Sequence, residues 1–205
     1  MHAPYIPAPP DAVRLLAEAE TRNSGPWVAH SRHVAAAARA IAAYWPDLDP
    51  DAAYALGLLH DIGRRAGVTK MRHAIDGHRY LAGLGYADAA RICLTHSFVV
   101  RDIRAIAGEW DCTPDELAHA ERLLSETTYD GYDRLIQLCD ALALPSGYCL
   151  MEVRLVDVAL RHGVNEYTVQ RWEGYLSLLR EVEAIIGRSV YSLLPGVVEN
   201  TFGRA

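Results

Sequence analysis

Histidine and aspartate side chains stand on or beside the apolar segments of this 205-residue chain. His60 and Asp61 end the apolar run "ALGLLHDIGRR", which covers residues 55–65. A buried imidazole beside a buried carboxylate is costly unless a hydrogen-bond partner or a metal ion satisfies both. Four further residues have the same kind of placement: His30, His73, His96 and Asp140.

A single histidine on an apolar face is usually a hydrogen-bonded core residue. Six such histidines and aspartates on five predicted helices favour a different interpretation. Imidazole and carboxylate groups together form ligand sets for zinc, iron, manganese and similar ions, and helix bundles build metal sites from facing helices. The sequence therefore predicts a metal site.

The elements that must position these residues have the sequence pattern of helices. Pro26 suits the first position of a helix through "WVAHSRHVAAAARAIAAY", and Asp49 caps a second helix that begins at Pro50 and ends near Gly63. "TPDE", at residues 113–116, is a capping box that starts another helix. Further helices are predicted at about 72–84, 86–98, 131–144, 150–162 and 166–186.

No alternating strand pattern and no internal repeat interrupts this helical pattern. We therefore predict an all-α fold, a compact helical bundle formed by one domain over residues 1–205. Its motif-bearing core spans about 26–145, with C-terminal helices in 150–205 packed onto that core.

Composition narrows the classes of partner. The net charge of −6 argues against broad nucleic-acid binding. No apolar run approaches the length of a membrane span, and the start "MHAPYIPAPPDA" lacks the features of a signal peptide. The four cysteines, Cys93, Cys112, Cys139 and Cys149, show no C-x-x-C spacing, which indicates reduced core thiols. We expect a cytoplasmic protein with no membrane partner, and the sequence leaves a homodimer open.

The order of the histidines and aspartates resembles the HD-domain (HDIG-type) metal-dependent phosphohydrolases. The matching pieces are "HSRHVAAAARAIA" from His30, "GLLHDIGR" from Gly57, "HAIDG" from His73, "THS" around His96 and "CDAL" around Asp140. The resemblance implies an all-helical fold with a central metal site.

The resemblance also implies a ligand set. His30, His60, Asp61 and Asp140 would be the core ligands. His73 and His96 would complete a second metal position, with Asp61 bridging. One or two divalent transition-metal ions are implied, namely Fe, Mn, Co, Ni or Zn, with Mg also allowed.

Two neighbouring histidines compete for places in this ligand set. His33 competes with His30, and His78 competes with His73. In the family the first histidine precedes a small or hydroxyl residue and stands four residues before a valine, which fits His30. The third histidine is followed four residues later by glycine, which fits His73.

The implied reaction is hydrolysis of a phosphate ester of a nucleotide or another small phosphorylated metabolite, by attack of metal-bound hydroxide. Asp61 and Arg64 would be the catalytic residues. The stretch from Ile62 to Arg79 carries five cations against one acid and joins two parts of the proposed site, where cations could hold phosphate oxygens. The predicted substrate-binding residues are Arg64, Arg65, Lys70 and His78.

Two alternatives remain. Some helical proteins with this ligand pattern are diiron oxygenases; the members compared place a tyrosine and a glutamate shortly before the first histidine, where this chain has "AEAETRNSGPW", without tyrosine. The segment "DVALRHGVNEYTVQRW", residues 157–172, resembles a DNA-binding helix-turn-helix, but two packed helices joined by a glycine turn give the same pattern. Arg161 and Arg171 are few cations for a recognition helix.

Overall fold

The computed structural model describes residues 5–203, whose regular secondary structure is helical apart from one short hairpin. The all-α prediction is confirmed. No helix within residues 5–203 combines the length and the apolar character needed to cross a membrane. The ten α-helices of the described residues are α1 (Pro9–Arg22), α2 (Pro26–Ala42), α3 (Pro50–Leu59), α4 (Arg72–Gly83), α5 (Ala87–Thr95), α6 (Pro114–Glu126), α7 (Gly131–Leu142), α8 (Met151–His162), α9 (Thr168–Ile186) and α10 (Val197–Phe202).

Short irregular elements join these helices. A 3₁₀ turn, Ile62–Ala66, follows α3, and another, Val190–Leu193, follows α9. The antiparallel strands β1 (Ala143–Leu144) and β2 (Gly147–Tyr148) lie between α7 and α8.

The predicted caps begin three of these helices. The Asp49 carboxylate accepts the Asp51 N–H at the start of α3, and Thr113 forms the expected capping box with Glu116 at the start of α6. Pro26 is the first residue of α2. Helix α1 was not predicted, although its buried residues, Ala12, Leu15, Leu16 and Ala19, follow helical spacing.

Helices α2 and α3 pack closely in the centre of the core. A Cβ at Gly57 would lie 2.5 Å from the Ala35 Cα, so only glycine permits this approach of the two backbones. One cluster of buried apolar residues extends from Ala12 in α1 to Val197 in α10. A smaller cluster surrounds Phe98, after α5. Helix α7, which carries Asp140, packs on α2, which carries His30, and on α3, which His60 follows.

The segment that resembled a helix-turn-helix, residues 157–172, forms the end of α8 and the start of α9. Gly163, with φ of +78°, ends α8 in a conformation that favours glycine. Thr168 and Arg171 on α9 are buried, and α9 packs against α7. The pattern of 157–172 therefore belongs to two helices packed on the bundle.

Candidate metal centre

Five helices or helix ends bring the six predicted ligands together. His30 lies on α2, His60 and Asp61 follow α3, His73 is in the first turn of α4, His96 ends α5, and Asp140 lies on α7. All except Asp140 are at most 8% exposed, and the Asp140 side chain is partly exposed. A cluster of this kind needs partners for its polar atoms.

Asp61 is shared by two groups of potential ligands. His30, His60 and Asp61 form one group, and Asp61, His73 and His96 form the other; in each, the ligand atoms lie within 4.8 Å of one another. The Asp61 Oδ1 lies 3.1 Å from the His73 Nε2 and 3.7 Å from the His96 Nε2. The Asp61 Oδ2 lies 4.0 Å from the His60 Nε2. One carboxylate thus faces both groups.

Asp140 adds a second carboxylate on the side of His30 and His60. Its Oδ1 lies 2.8 Å from the His30 Nε2 and 3.7 Å from the His60 Nε2. The His60 Nε2 therefore lies close to both carboxylates, that of Asp61 after α3 and that of Asp140 on α7.

Backbone carbonyls fix the orientation of three imidazoles. The Nδ1 of His60 bonds to the Gly57 carbonyl at 2.8 Å, and that of His96 bonds to the Cys93 carbonyl at 2.9 Å. The Nδ1 of His73 bonds to the Lys70 carbonyl. Because a carbonyl only accepts, each Nδ1 must carry the proton, which leaves the Nε2 lone pair of a neutral ring free to bind a metal.

The unpartnered atoms of the cluster fit a divalent cation. The His60 Nε2 and the Asp61 Oδ1 are buried and have no hydrogen-bond partner within residues 5–203. With the proton on Nδ1, the His73 Nε2 and the Asp61 Oδ1 that face each other are both acceptors, so neither satisfies the other. A cation between such atoms would satisfy both, and imidazole with carboxylate suits Zn, Fe, Mn and similar ions.

The charges around the cluster keep its carboxylates ionised. Burial would raise the pKa of Asp61, but the charged Arg64 guanidinium beside it outweighs burial and holds that pKa well below its ordinary value. Burial likewise opposes ionisation of Asp140, but its hydrogen bond with His30 and the proximity of His60 hold its pKa well below the ordinary value. Both side chains therefore offer anionic oxygens at neutral pH.

His96 is kept neutral chiefly by burial. Burial lowers its pKa from 6.5 to about 4, and the neighbouring His60 acts in the same direction. In the unfolded chain His96 takes up a proton as the pH falls through 6.5, whereas in the folded protein it does not until about pH 4. Its contribution to stability is therefore complete above pH 6.5 and declines as the pH falls from 6.5 towards 4.

This pKa predicts a pH dependence that can be measured on the metal-free protein. Between pH 7 and pH 5, the wild type should lose about 2 kcal/mol more unfolding free energy than His96→Gln, which cannot titrate. Chemical denaturation of both proteins at the two pH values measures the difference. Equal losses in wild type and variant would contradict a neutral, buried His96.

The "HDIG" turn depends on the absence of a side chain at its glycine. A Cβ at Gly63 would lie 1.9 Å from the His73 carbonyl oxygen and 2.5 Å from the Gly77 nitrogen. Both are backbone atoms of α4, so no rotation of a side chain could relieve the overlap. Gly63 therefore lets the turn after His60 and Asp61 lie directly against the helix that carries His73.

A polar network next to the cluster joins the helices that carry His96 and Asp140. The Thr95 hydroxyl donates to the Asp133 Oδ1 at 2.5 Å, and the Gln137 amide donates to the Thr95 carbonyl at 3.0 Å. Arg91 on α5 pairs with Asp130 and Asp133 at the start of α7. The sequence analysis missed this network, although Asp130 and Asp133 have the spacing of a capping box.

A cavity of about 590 Å³ opens over the cluster. Five of the six predicted ligands line it, while His60 lies beneath them with no exposed surface. Arg64 also lines the cavity, and its Nε donates to the Asp61 Oδ2 at 2.6 Å. The remaining wall comes mainly from α8 and α9, which contribute the arginines Arg154, Arg161 and Arg171. None of these three was among the predicted site residues.

The other predicted substrate-binding residues do not line this cavity. Arg65 pairs with Glu18 and stacks on the Tyr80 ring, with its guanidinium carbon 3.9 Å from the ring centre. Lys70 pairs with Glu109 on the exposed surface. Burial, together with the nearby His119 and Arg79, lowers the pKa of His78. Of the four predicted substrate-binding residues, Arg64 alone therefore faces the cavity.

The two competing histidines lie outside the cluster. His33 packs edge-on against Tyr148, with the ring centres 5.5 Å apart, and the Tyr148 hydroxyl donates to the His33 carbonyl. His78, five residues after His73 on α4 and therefore on a different face of that helix, lies near His119. Of the pair His30 and His33, the structure places His30 in the cluster, and of the pair His73 and His78 it places His73 there. Their role as ligands stays a prediction.

Comparison with known proteins identifies the family. The model of the HD domain matches residues 27–144, more than half of the chain. No curated protein and no solved structure gives a significant match. The match begins in α2, ends in β1 and includes all six clustered residues, whereas α8 and α9 lie beyond it. The chain belongs to the HD domain family, whose members are generally metal-dependent hydrolases.

Proposed function

We propose that the protein is a metal-dependent phosphohydrolase that cleaves a phosphate ester of a nucleotide or another small phosphorylated metabolite. The observation that carries the proposal is the Asp61 carboxylate, which faces two groups of histidines while holding the Arg64 guanidinium in the same cavity. Metal ligands beside a fixed cation suit a reaction in which negative charge develops on phosphate oxygens. The cavity volume is that of a small-molecule site.

The proposed metal site uses the residues that already converge. His30, His60, Asp61 and Asp140 would hold one ion, and Asp61, His73 and His96 would hold a second. A bound divalent metal supplies a Lewis acid for a phosphate oxygen and lowers the pKa of water. The protein positions the ligands through the Nδ1 hydrogen bonds of His60, His73 and His96.

Arg64 is the proposed phosphate-binding residue. Its Nε is held by Asp61, and its Nη2 lies 3.4 Å from the His73 Nε2, so the guanidinium is fixed next to the ligand atoms. Asp61 contributes to the raised pKa of Arg64 against the opposing effect of burial, so the side chain stays charged. Its remaining N–H groups can donate to phosphate oxygens as negative charge develops.

The surroundings of the cavity favour hydrolysis over the two alternatives. The glutamates before His30, Glu18 and Glu20, form ion pairs with Arg65 and Arg32 outside the cavity. The diiron oxygenases compared have a glutamate shortly before the first histidine, and the two glutamates of this chain in that region do not line the cavity. On the helix-turn-helix segment, Arg171 is buried and Arg161 pairs with Asp157, so these cations are poorly placed for DNA phosphates.

A substrate panel tests the proposal. The purified protein is analysed for bound metal, then loaded with manganese, cobalt, iron or magnesium and assayed for phosphate release from monoesters and diesters. We expect hydrolysis of at least one small phosphate ester, lost on chelation and restored by metal. Oxygen consumption without phosphate release would instead support a diiron oxygenase.

Arg64→Ala should lower kcat/KM on the hydrolysed ester by about ten- to a hundredfold, because it removes a charge-assisted hydrogen bond to phosphate. Arg64→Lys should recover only part of the loss, since an ammonium group cannot reproduce two parallel hydrogen bonds. Metal content and the circular dichroism spectrum should stay at the wild-type level.

Arg65→Ala is the matched control, because Arg65 is the next residue but pairs with Glu18 outside the cavity. It should keep wild-type kinetics. If Arg64→Ala also kept wild-type kinetics, the proposed contact between Arg64 and phosphate would be wrong.

A further inference from the structure

Arg171 is a buried arginine whose guanidinium has no partner within residues 5–203. It is 6% exposed, lies on α9 and lines the cavity over the metal centre. Its side chain forms no hydrogen bond or ion pair with any described residue, and its Nε is buried without an acceptor. Burial lowers its pKa from the ordinary value. Burying an unpaired charge is costly, so this side chain needs an explanation.

Its immediate neighbours do not supply a negative charge. Burial raises the pKa of the adjacent Tyr175, so its phenol is neutral at physiological pH. Trp172 follows Arg171 in the chain and lines the same cavity.

The carboxylates that line the cavity are engaged elsewhere. Asp61 bonds to Arg64, and Asp140 bonds to His30. Asp157 accepts hydrogen bonds from both Arg154 and Arg161. Arg171 is therefore the one cavity-lining arginine that lacks a counter-anion within the described residues.

Arg154 gives the same wall a second source of hydrogen-bond donors. Its Nη1 donates to Asp157 at 2.9 Å, but its Nε is buried and has no partner within residues 5–203. Two arginines with unused donors, on α8 and α9, thus face one cavity. An oxyanion with two or three oxygens could accept from both.

We propose that Arg171 is a specificity-determining residue that binds an anionic group of the substrate, a phosphate or a carboxylate separate from the phosphate that is hydrolysed. This inference rests on the proposed function, in which the reacting phosphate is held by the metal ligands and Arg64. The substrate class is therefore a small phosphate ester with a second anionic group. Arg171 lies beyond the match to the HD domain, in the part of the chain that would distinguish this protein from others of its family.

Non-hydrolysable phosphonates test the inference on the metal-loaded protein. Titration calorimetry would compare ethylphosphonate and propylphosphonate, which have one anionic group, with 3-phosphonopropionate and 4-phosphonobutyrate, which add a carboxylate. Ethylene- and propylenebisphosphonate form the arm with a second phosphonate. We expect at least one probe with two anionic groups to bind about ten- to a hundredfold more tightly than its counterpart with one. Whichever set shows the larger gain in affinity over its single-anion counterparts, the phosphonocarboxylates or the bisphosphonates, identifies the second group as carboxylate or phosphate.

In Arg171→Gln, the ratio of the affinities for the two-anion and the single-anion probe should fall close to one, while the affinity for the single-anion probe changes by less than about twofold. Arg171→Lys should restore part of the ratio. Arg180→Gln is the matched control, because Arg180 is exposed on the same helix and does not line the cavity. The melting temperature of Arg171→Gln without probe should equal or exceed that of the wild type, since the variant removes an unpaired buried charge.

Two results would overturn the inference. The first is equal binding of both kinds of probe by the wild type, a result that can be obtained without any variant. The second is an Arg171→Gln protein that loses affinity for both kinds of probe to the same extent, which would indicate a structural role. If the protein hydrolyses an ester but does not prefer probes with two anionic groups, this inference is refuted and the proposed function stands. A preference that depends on Arg171 in a protein that hydrolyses no ester would support the anion site and refute the proposed function.

Discussion

Asp61→Ala should lose its bound metal and its hydrolytic activity together. Asp61 faces both groups of histidines, so its loss removes a ligand from each proposed metal position. It also leaves Arg64 without its carboxylate partner. Loss of the bound metal should lower the activity at least about a hundredfold, because each loss of about 1.4 kcal/mol in transition-state stabilisation lowers the rate tenfold. Metal analysis after dialysis and the phosphate-release assay measure the two effects.

Two further variants separate this effect from a general loss of folding. Asp61→Asn keeps the shape of the side chain and should show the same loss of metal, with a native circular dichroism spectrum. Asp47→Asn removes an exposed carboxylate that forms no ion pair with residues 5–203, and it should behave as the wild type. Full metal occupancy in Asp61→Ala would refute the assignment of Asp61 as the shared ligand.

Gly63→Ala should strongly destabilise the protein and weaken metal binding. The added Cβ would overlap the His73 carbonyl oxygen and the Gly77 nitrogen, so the turn and α4 must separate. Overpacking against side chains costs about 1–3 kcal/mol, and overlap with backbone atoms should cost at least about 3 kcal/mol of unfolding free energy. Denaturant titration of the metal-free protein measures the loss.

Gly83→Ala is the control, because a Cβ at Gly83 would contact no atom within 4 Å. Gly83 ends α4 in an exposed position, and alanine there should leave stability unchanged or raise it by up to about 1 kcal/mol. If Gly63→Ala were as stable as Gly83→Ala, close backbone contact would not explain the glycine of the "HDIG" turn.

The helices and the clustered residues could be predicted because their signals are local. Pro26, Asp49 and the capping box at Thr113 mark helix starts, and the structure begins α2, α3 and α6 there. His30 belongs to a buried helical face with Val34, Ala37 and Ile41. Local signals of this kind depend on the period of the helix and on unpaired groups at its first turn.

The cations that line the cavity could not be predicted in the same way, because cavity lining depends on where side chains meet in three dimensions. Arg65 and Lys70 stand in the same charge run as Arg64, yet their carboxylate partners come from α1 and from the loop before α6. Nothing in the run itself distinguishes the residue that faces the cavity.

Arg171 did have a local signal that the sequence analysis overlooked. Thr168, Arg171, Leu178 and Val182 recur at helical spacing and form the buried face of α9. An arginine in such a face predicts either a buried ion pair or a ligand. Interpreting it as one of the few cations of a DNA-recognition helix treated an inward-facing side chain as exposed.

The hydrogen bonds from the Nδ1 atoms of His60 and His96 have a consequence for how these positions tolerate change. Their acceptors, the Gly57 and Cys93 carbonyls, lie in the last turns of α3 and α5, where the helix itself supplies no donor. Each ring therefore completes the end of a helix with one nitrogen and presents the other to the candidate metal centre. Selection for a folded chain and selection for a working centre would act on the same two atoms of one side chain, so these histidines should resist substitution even in descendants that no longer bind metal.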